Sequence, residues 1–240
     1  MAMAEGLRLS IDADAHVATL TIDRPGSKNA FTSAMWTSGA ESLRAVAADD
    51  SVGVLLFDAT GDVFSAGADV KDASSSKDAG RPFHAFLDEL CEFPKPVVAA
   101  VGGAAVGSGF TMLAYVDIVL ASTRARFRAP FVAMGLSPEA GSSVTLPRLL
   151  GWQAAAEVMF TAGWFAVDEA HRLGFVREVV EPEALAARAR ELAAHIGSQP
   201  LASLVATKRL MLEGRGSATD ARARESVVFR DLLGSRTRLD

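Results

Sequence analysis

Three apolar runs constrain this chain more than anything else in it: VGVLLFDA (52–59), PVVAAV (96–101) and DIVLAS (117–122). Each is continuously hydrophobic rather than alternating. The first reads as a strand buried on both faces, the second as another buried strand and the third as the next strand. Near the start, LRLSID (7–12) and HVATLTID (16–23) alternate apolar and polar residues and read as a strand pair. ARFRA (125–129) adds a further strand. Amphipathic stretches at 34–50 and 82–92, and the segment opening at GSGFTMLAYVD, read as helices. Strands and helices therefore alternate over the first two-thirds of the chain, which predicts an α/β fold. After Ser137 the pattern is almost wholly helical, interrupted only by FVREVV (175–180). A core over 1–195 and a helical C-terminal segment over 196–240 follow from this pattern. The polar stretch DASSSKDAG (72–80) reads as a mobile loop.

Several function classes are disfavoured. The net charge of −5 supplies no basic excess for nucleic acid or for an acidic membrane surface. The single cysteine, Cys91, cannot build a disulfide framework and fits a reducing compartment. The longest apolar stretch, PVVAAVGGAAVGSGF, is broken by glycines and falls short of the roughly 20 residues of a spanning helix. The start, MAMAEGLRLS, lacks a signal-peptide pattern. A soluble cytoplasmic protein is expected. His16, His84, His171 and His195 are scattered without metal-ligand spacing, so no metal is expected. Gly107-Ser108-Gly109 lacks the flanking glycines of a nucleophile elbow, and Met112 stands where a dinucleotide fingerprint needs its third glycine.

Two loops share one design. Ser65-Ala66-Gly67-Ala68-Asp69 and Gly107-Ser108-Gly109 each follow a buried strand and are built from very small residues. Small residues let a ligand approach the backbone closely. Two N–H groups converging on one oxygen make an oxyanion hole. Either loop alone fits tight strand-to-helix packing equally well. A third segment, FRAPFVAMGLSPEAGSSVTLPRLLG (127–151), is largely apolar and carries one acid, Glu139. Ser137 reads there as an N-cap and Pro138 as the first helical residue. Glu139 is then either a helix-start glutamate, favoured in its charged form by the dipole, or the base of an active site, with its pKa raised by apolar surroundings.

Together with TIDRPGSKNAF, FSAGADVKD, KPVVAAVGGAAVGSGF and GWFAVDEAHRLGFVREVV, these segments make the chain resemble the crotonase (enoyl-CoA hydratase/isomerase) superfamily over roughly residues 7–212. The resemblance implies a crotonase (ClpP-like) spiral of ββα units with a helical trimerisation region, assembled as a homotrimer or homohexamer. It implies a small-molecule acyl-CoA thioester as substrate, so coenzyme A enters as part of the substrate and no separate cofactor is expected. By motif position the oxyanion donors are the backbone N–H groups of Ala68 and Ser108. Ala66, Asp69 and Val70 would line the adenine and pantetheine region, and Lys28 would meet the CoA phosphates. Arg24 and Lys208 are weaker candidates, better read as solvated surface charges.

Typical hydratase members carry two glutamates, and those positions hold Thr111 and Phe131 here. PFVAMGLSPEAGSS looks instead like the peroxisomal-type Δ3,Δ2-enoyl-CoA isomerases, in which a glutamate matching Glu139 is the catalytic base. That likeness implies a 1,3-proton shift from a 3-enoyl-CoA to a 2-enoyl-CoA in fatty-acid metabolism. The rival readings are hydration or C–C cleavage of a CoA thioester, and a catalytically silent acyl-CoA-binding scaffold. Trp36, Phe83, Phe86, Trp152 and Phe160 are candidates for an acyl pocket, although helical aromatics more often belong to a core.

Overall fold

A computed structural model describes residues 3–73 and 80–213, together with 222, 223, 226, 227 and 230. The expected helix over ATDARARESVVFRDLL lies largely outside the described residues; of the expected loop at 72–80, residues 74–79 lie outside them, whereas Asp72, Ala73 and Gly80 are helical.

The apolar runs form the centre of the main sheet. β1 (Leu7–Asp12) and β2 (Val17–Ile22) make the antiparallel pair read from their alternation. β2 is followed in the sheet by β3 (Val54–Ala59), β5 (Val97–Val101), β7 (Ile118–Ser122) and β10 (Glu178–Val180), all parallel to it. Side chains alternate across a strand, and the alternation divides each run between two clusters. Leu55, Phe57, Val97, Ala99, Val119 and Ala121 enter the larger core. Val54, Leu56, Val98, Ala100 and Leu120 face the other way, onto α8 (Pro182–Gly197) through its Leu185, Ala189 and Ala193. Both faces are buried, which explains why the runs carry no polar alternation. Each Leu or Val so buried contributes about 1.5–3 kcal/mol.

A second sheet stacks β4 (Val63–Ser65), β6 (Ala104–Val106), β8 (Arg126–Arg128) and β9 (Trp164–Ala166) in that order. Each of β3, β5 and β7 is thus followed by a short strand of the second sheet, and then by helix. α1 (Ser33–Ala47) precedes β3. α2 (Val70–Ala73) and α3 (Gly80–Cys91) follow β4. α4 (Ser108–Thr111) and a 3-10 turn (Met112–Tyr115) follow β6. α5 (Ser142–Leu150) and α6 (Trp152–Thr161) come after β8, and α7 (Val167–Arg172) after β9. This repetition is the spiral of ββα units that the resemblance implied. α9 (Leu201–Glu213) is set off from α8 by a turn at 198–200.

Two expectations need correction. The chain after Ser137 is not helical apart from β10, because β9 pairs antiparallel with β8, Phe127 opposite Phe165. A three-residue strand leaves almost no periodic signal. The helix expected at Ser137-Pro138 begins instead at Ser142. Ala140 (φ 60°) and Gly141 (φ 70°) are both left-handed, a conformation that a right-handed helix does not admit. Of the aromatic candidates, Trp36, Phe83 and Phe86 lie in the core around Phe31, where Phe31 and Trp36 stack at 3.9 Å. Trp152 and Phe160 are instead 69% and 75% exposed on α6.

Candidate active site

The first small-residue loop is held from below by the turn at 24–31. Asn29 is fully buried and left-handed. Its Nδ2 donates to the carbonyls of Thr60 (2.8 Å) and Val63 (2.7 Å), and its Oδ1 accepts from the Arg24 N–H (2.8 Å). Ser65 Oγ donates to the Asn29 carbonyl (2.9 Å) and accepts from the Gly67 N–H (3.1 Å). The Ala66 N–H donates to the Lys28 carbonyl (3.0 Å). Phe31 then pairs with the loop as in a parallel sheet: its N–H donates to the Gly67 carbonyl, and the Asp69 N–H donates to its carbonyl, both at 2.8 Å. That pairing consumes groups of residues 67 and 69 and turns the N–H of Ala68 to the opposite side. Ala68 is exposed, and its N–H meets no acceptor among the described residues.

The second loop packs into the first. Gly107 (φ 56°) donates to the Arg128 carbonyl (3.0 Å), and its own carbonyl accepts from Phe110 and Thr111. The Ser108 N–H opens α4 and has no acceptor among the described residues. A β-carbon on Gly67 (φ 89°) would stand 2.8 Å from the Val106 carbonyl oxygen, and 3.2 and 3.3 Å from Ser108 Oγ and N. One on Gly109 would stand 2.6 Å from the Ser65 carbonyl oxygen. The small residues are therefore required by mutual approach of the two loops. That approach brings the segment carrying the Ala68 N–H beside the one carrying the Ser108 N–H, an arrangement suited to a single developing oxyanion.

Glu139 lies half-buried in the segment between β8 and α5, three residues before the helix. Its carbonyl accepts from both the N–H (3.0 Å) and the Oγ (2.5 Å) of Ser142. Ser137 does not cap; its Oγ lies 3.4 Å from the Pro138 carbonyl. The next residue, Ala140, is buried, and its carbonyl accepts from the hydroxyl of Tyr115. Tyr115 ends the helical stretch that Ser108 begins, so that stretch links the second small-residue loop to the Glu139 turn. Thr111 lies between them and is fully buried, and Phe131 is 5% exposed. The Thr111 hydroxyl has no hydrogen-bond partner among the described residues.

The residues expected to meet coenzyme A separate into two groups. Lys28 is exposed at the left-handed end of its turn, and Val70 is exposed at the start of α2. Ala66, within the loop, is half-buried. The Asp69 carboxylate is committed internally. It accepts from Arg24 Nη1 (2.7 Å) and from the N–H groups of Lys71 (3.1 Å) and Asp72 (3.3 Å). The Arg24 hydrogen bond holds the Asp69 carboxyl below its usual range. Arg24 also donates to the Ala30 carbonyl (3.0 Å), so its guanidinium braces the loop. Lys208 is not a solvated charge. It is buried in an ion pair with Asp117, whose Oδ2 also accepts from the Val97 N–H (2.8 Å).

Sequence reasoning missed Asn29, Ser65 and Tyr115. Tyr115 had a readable signal: it is the chain's one tyrosine, and it lies in an apolar helix where a buried phenol needs a partner. Asn29 follows a Pro-Gly turn, where asparagine is a common left-handed residue.

A family model described as Enoyl-CoA hydratase/isomerase matches residues 12–237. The 1,2-epoxyphenylacetyl-CoA isomerase of Escherichia coli (strain K12) is 32% identical over 227 residues, 91% of this chain and 87% of that protein. Enoyl-CoA delta isomerase 2 of Rattus norvegicus is 34% identical over 183 residues, 73% of this chain and 46% of that protein. Hydratases and 4-chlorobenzoyl coenzyme A dehalogenases also stand among the relatives, at 30–32% identity. The crystal structure of an enoyl-CoA hydratase/isomerase from Pseudoalteromonas atlantica superposes with a TM-score of 0.91 at 35% identity, covering 95% of this chain and 92% of that one.

Proposed function

The chain belongs to the enoyl-CoA hydratase/isomerase family, and from that premise we propose that it moves the double bond of a 3-enoyl-CoA to the 2-position by a 1,3-proton transfer. The observation that carries this reading is the distribution of acids around the two loops. Thr111 and Phe131 are buried at the positions where hydratase-type members carry their water-activating glutamates. Glu139 is the one carboxylate of the 127–151 segment, and its turn is tied to the stretch that begins at Ser108.

In this mechanism the N–H groups of Ala68 and Ser108 hold the thioester oxygen. Glu139 removes a proton from C2, the electron pair spreads through the carbonyl as a dienolate, and the same carboxyl returns a proton at C4. Interactions that strengthen as the oxygen gains charge lower the barrier, whereas those made equally in the ground state do not. One carboxyl suffices for both transfers. A hydroxyl at 111 and a phenyl ring at 131 offer no second base to order a water, which supports isomerisation over hydration. Lys28 is the residue for the CoA phosphates, with Ala66, Val70 and the backbone of Asp69 along the pantetheine. Coenzyme A belongs to the substrate, and the reaction calls for no separate cofactor. The assembly is a homotrimer or homohexamer.

Incubation with a 3-enoyl-CoA, with the products separated by chromatography, tests the reading. Accumulation of 2-enoyl-CoA supports it. Conversion of 2-enoyl-CoA to 3-hydroxyacyl-CoA as the dominant activity would replace it with hydration, and binding without turnover would replace it with a scaffold.

A further inference from the structure

We infer that the side-chain hydroxyl of Ser108 is a third hydrogen-bond donor to the thioester oxygen, beside the backbone N–H groups of Ala68 and of Ser108 itself. The inference rests on the acyl-CoA reading and assigns a catalytic role to a side chain at a position where the motif requires only a backbone amide. Ser108 is 2% exposed, and its Oγ has no hydrogen-bond partner among the described residues. A buried hydroxyl without a partner costs free energy in the resting protein, so a ligand atom that completes it recovers that cost.

Its oxygen is placed at the junction of the two loops. Ser108 Oγ and N lie 3.2 and 3.3 Å from a single point, the site that a β-carbon on Gly67 would occupy. The hydroxyl oxygen and the amide nitrogen therefore both lie against Gly67, the residue before Ala68. The other hydroxyl at this junction, Ser65 Oγ, is already committed to Asn29 and Gly67. When the C2–H bond breaks, the proton passes to the Glu139 carboxylate and the electron pair moves onto the thioester oxygen. The Ser108 O–H then donates to that oxygen without transferring its proton. Its hydrogen bond is stronger to the dienolate than to the neutral carbonyl, so it acts on turnover more than on binding.

Ser108→Ala and Ser108→Gly in the whole protein test this, read by kcat and KM for a 3-enoyl-CoA and by thermal unfolding. The expected result is a fall in kcat of about 10²-fold, with KM nearly unchanged and Tm unchanged or raised, since an unpaired buried hydroxyl is gone. Agreement between the two variants separates the hydroxyl from any effect of side-chain volume. Full kcat in both variants with a raised Tm overturns the inference and leaves the isomerase reading standing. A wild-type protein inert toward every enoyl-CoA overturns both.

Discussion

Tyr115 donates the hydrogen of its phenol to the main-chain carbonyl of Ala140, the residue that follows Glu139. Ala140 is buried and left-handed, a conformation disfavoured for a residue with a β-carbon. The bond therefore holds a strained backbone next to the proposed base, and it does so from the helical stretch that opens with Ser108.

Tyr115→Phe keeps the ring and removes this bond. The Ala140 carbonyl is left buried without that donor, which costs about 1–3 kcal/mol of stability. If the bond orients Glu139, kcat falls about tenfold or more while KM moves little, because a small misplacement of a base acts on the chemical step. Steady-state kinetics beside chemical denaturation separate the two effects. Lost stability with unchanged kcat would make the bond purely structural.

Gly67→Ala and Gly109→Ala are expected to abolish turnover. The first forces a β-carbon to 2.8 Å from the Val106 carbonyl oxygen at φ 89°, and the second to 2.6 Å from the Ser65 carbonyl oxygen. Both contacts are with backbone, which has no rotamer to give way, so the loops must separate and the two N–H groups diverge. Activity with circular dichroism as a control for folding is the measurement. Near-normal kcat/KM in either variant would contradict the interlocked geometry.

Lys208→Ala is expected to cost about 3–5 kcal/mol, since it leaves the Asp117 carboxylate shielded from solvent without its counter-charge. The same variant leaves acyl-CoA affinity unchanged, because Lys208 points into the protein. Urea denaturation and a binding titration together check it. Weakened CoA binding with intact stability would restore Lys208 as a ligand contact.

Asp58 gives a dependence on pH. Burial raises its pKa above the ordinary 3.8, and the Thr21 hydrogen bond opposes this only in part. One of its carboxylate oxygens is buried without a hydrogen-bond partner among the described residues. A raised carboxyl pKa means that the folded state holds its proton more tightly than the unfolded state. Stability therefore falls as pH rises from the unfolded value through the folded one, and the penalty is complete above the folded value. Asp58→Asn is expected to be more stable than the parent at neutral pH, with the difference vanishing below pH 3.8. Denaturation midpoints across pH 3–8 test this. Equal stability at neutral pH, or a gap that widens on acidification, would contradict it.

Much of the fold was legible because its causes are local. Leu55 and Leu56 each belong to a different apolar cluster, and a run with no polar alternation is how a strand covered on both faces must look. What escaped depends on partners distant in sequence. Lys208 reads as a surface charge until Asp117, 91 residues earlier, is beside it. β9 exists through its pairing with β8 and the Arg126 guanidinium 4.0 Å over the Trp164 ring, not through a pattern of its own. At the site, the glycines announced close approach but not what approached, since Gly67 and Gly109 each answer to the opposite loop. Ser137-Pro138-Glu139 carried a helix-start pattern that two left-handed residues at 140 and 141 postpone to Ser142. Glu139 thereby lies three residues ahead of α5.

The central claim is that Glu139 carries the proton. Glu139→Gln preserves shape and hydrogen-bonding capacity while removing the base. Conversion of 3-enoyl-CoA to 2-enoyl-CoA by this variant, measured alongside its binding of a saturated acyl-CoA, tests the claim directly. The account predicts turnover reduced by at least about 10²-fold with binding retained. Turnover close to the parent's would contradict it.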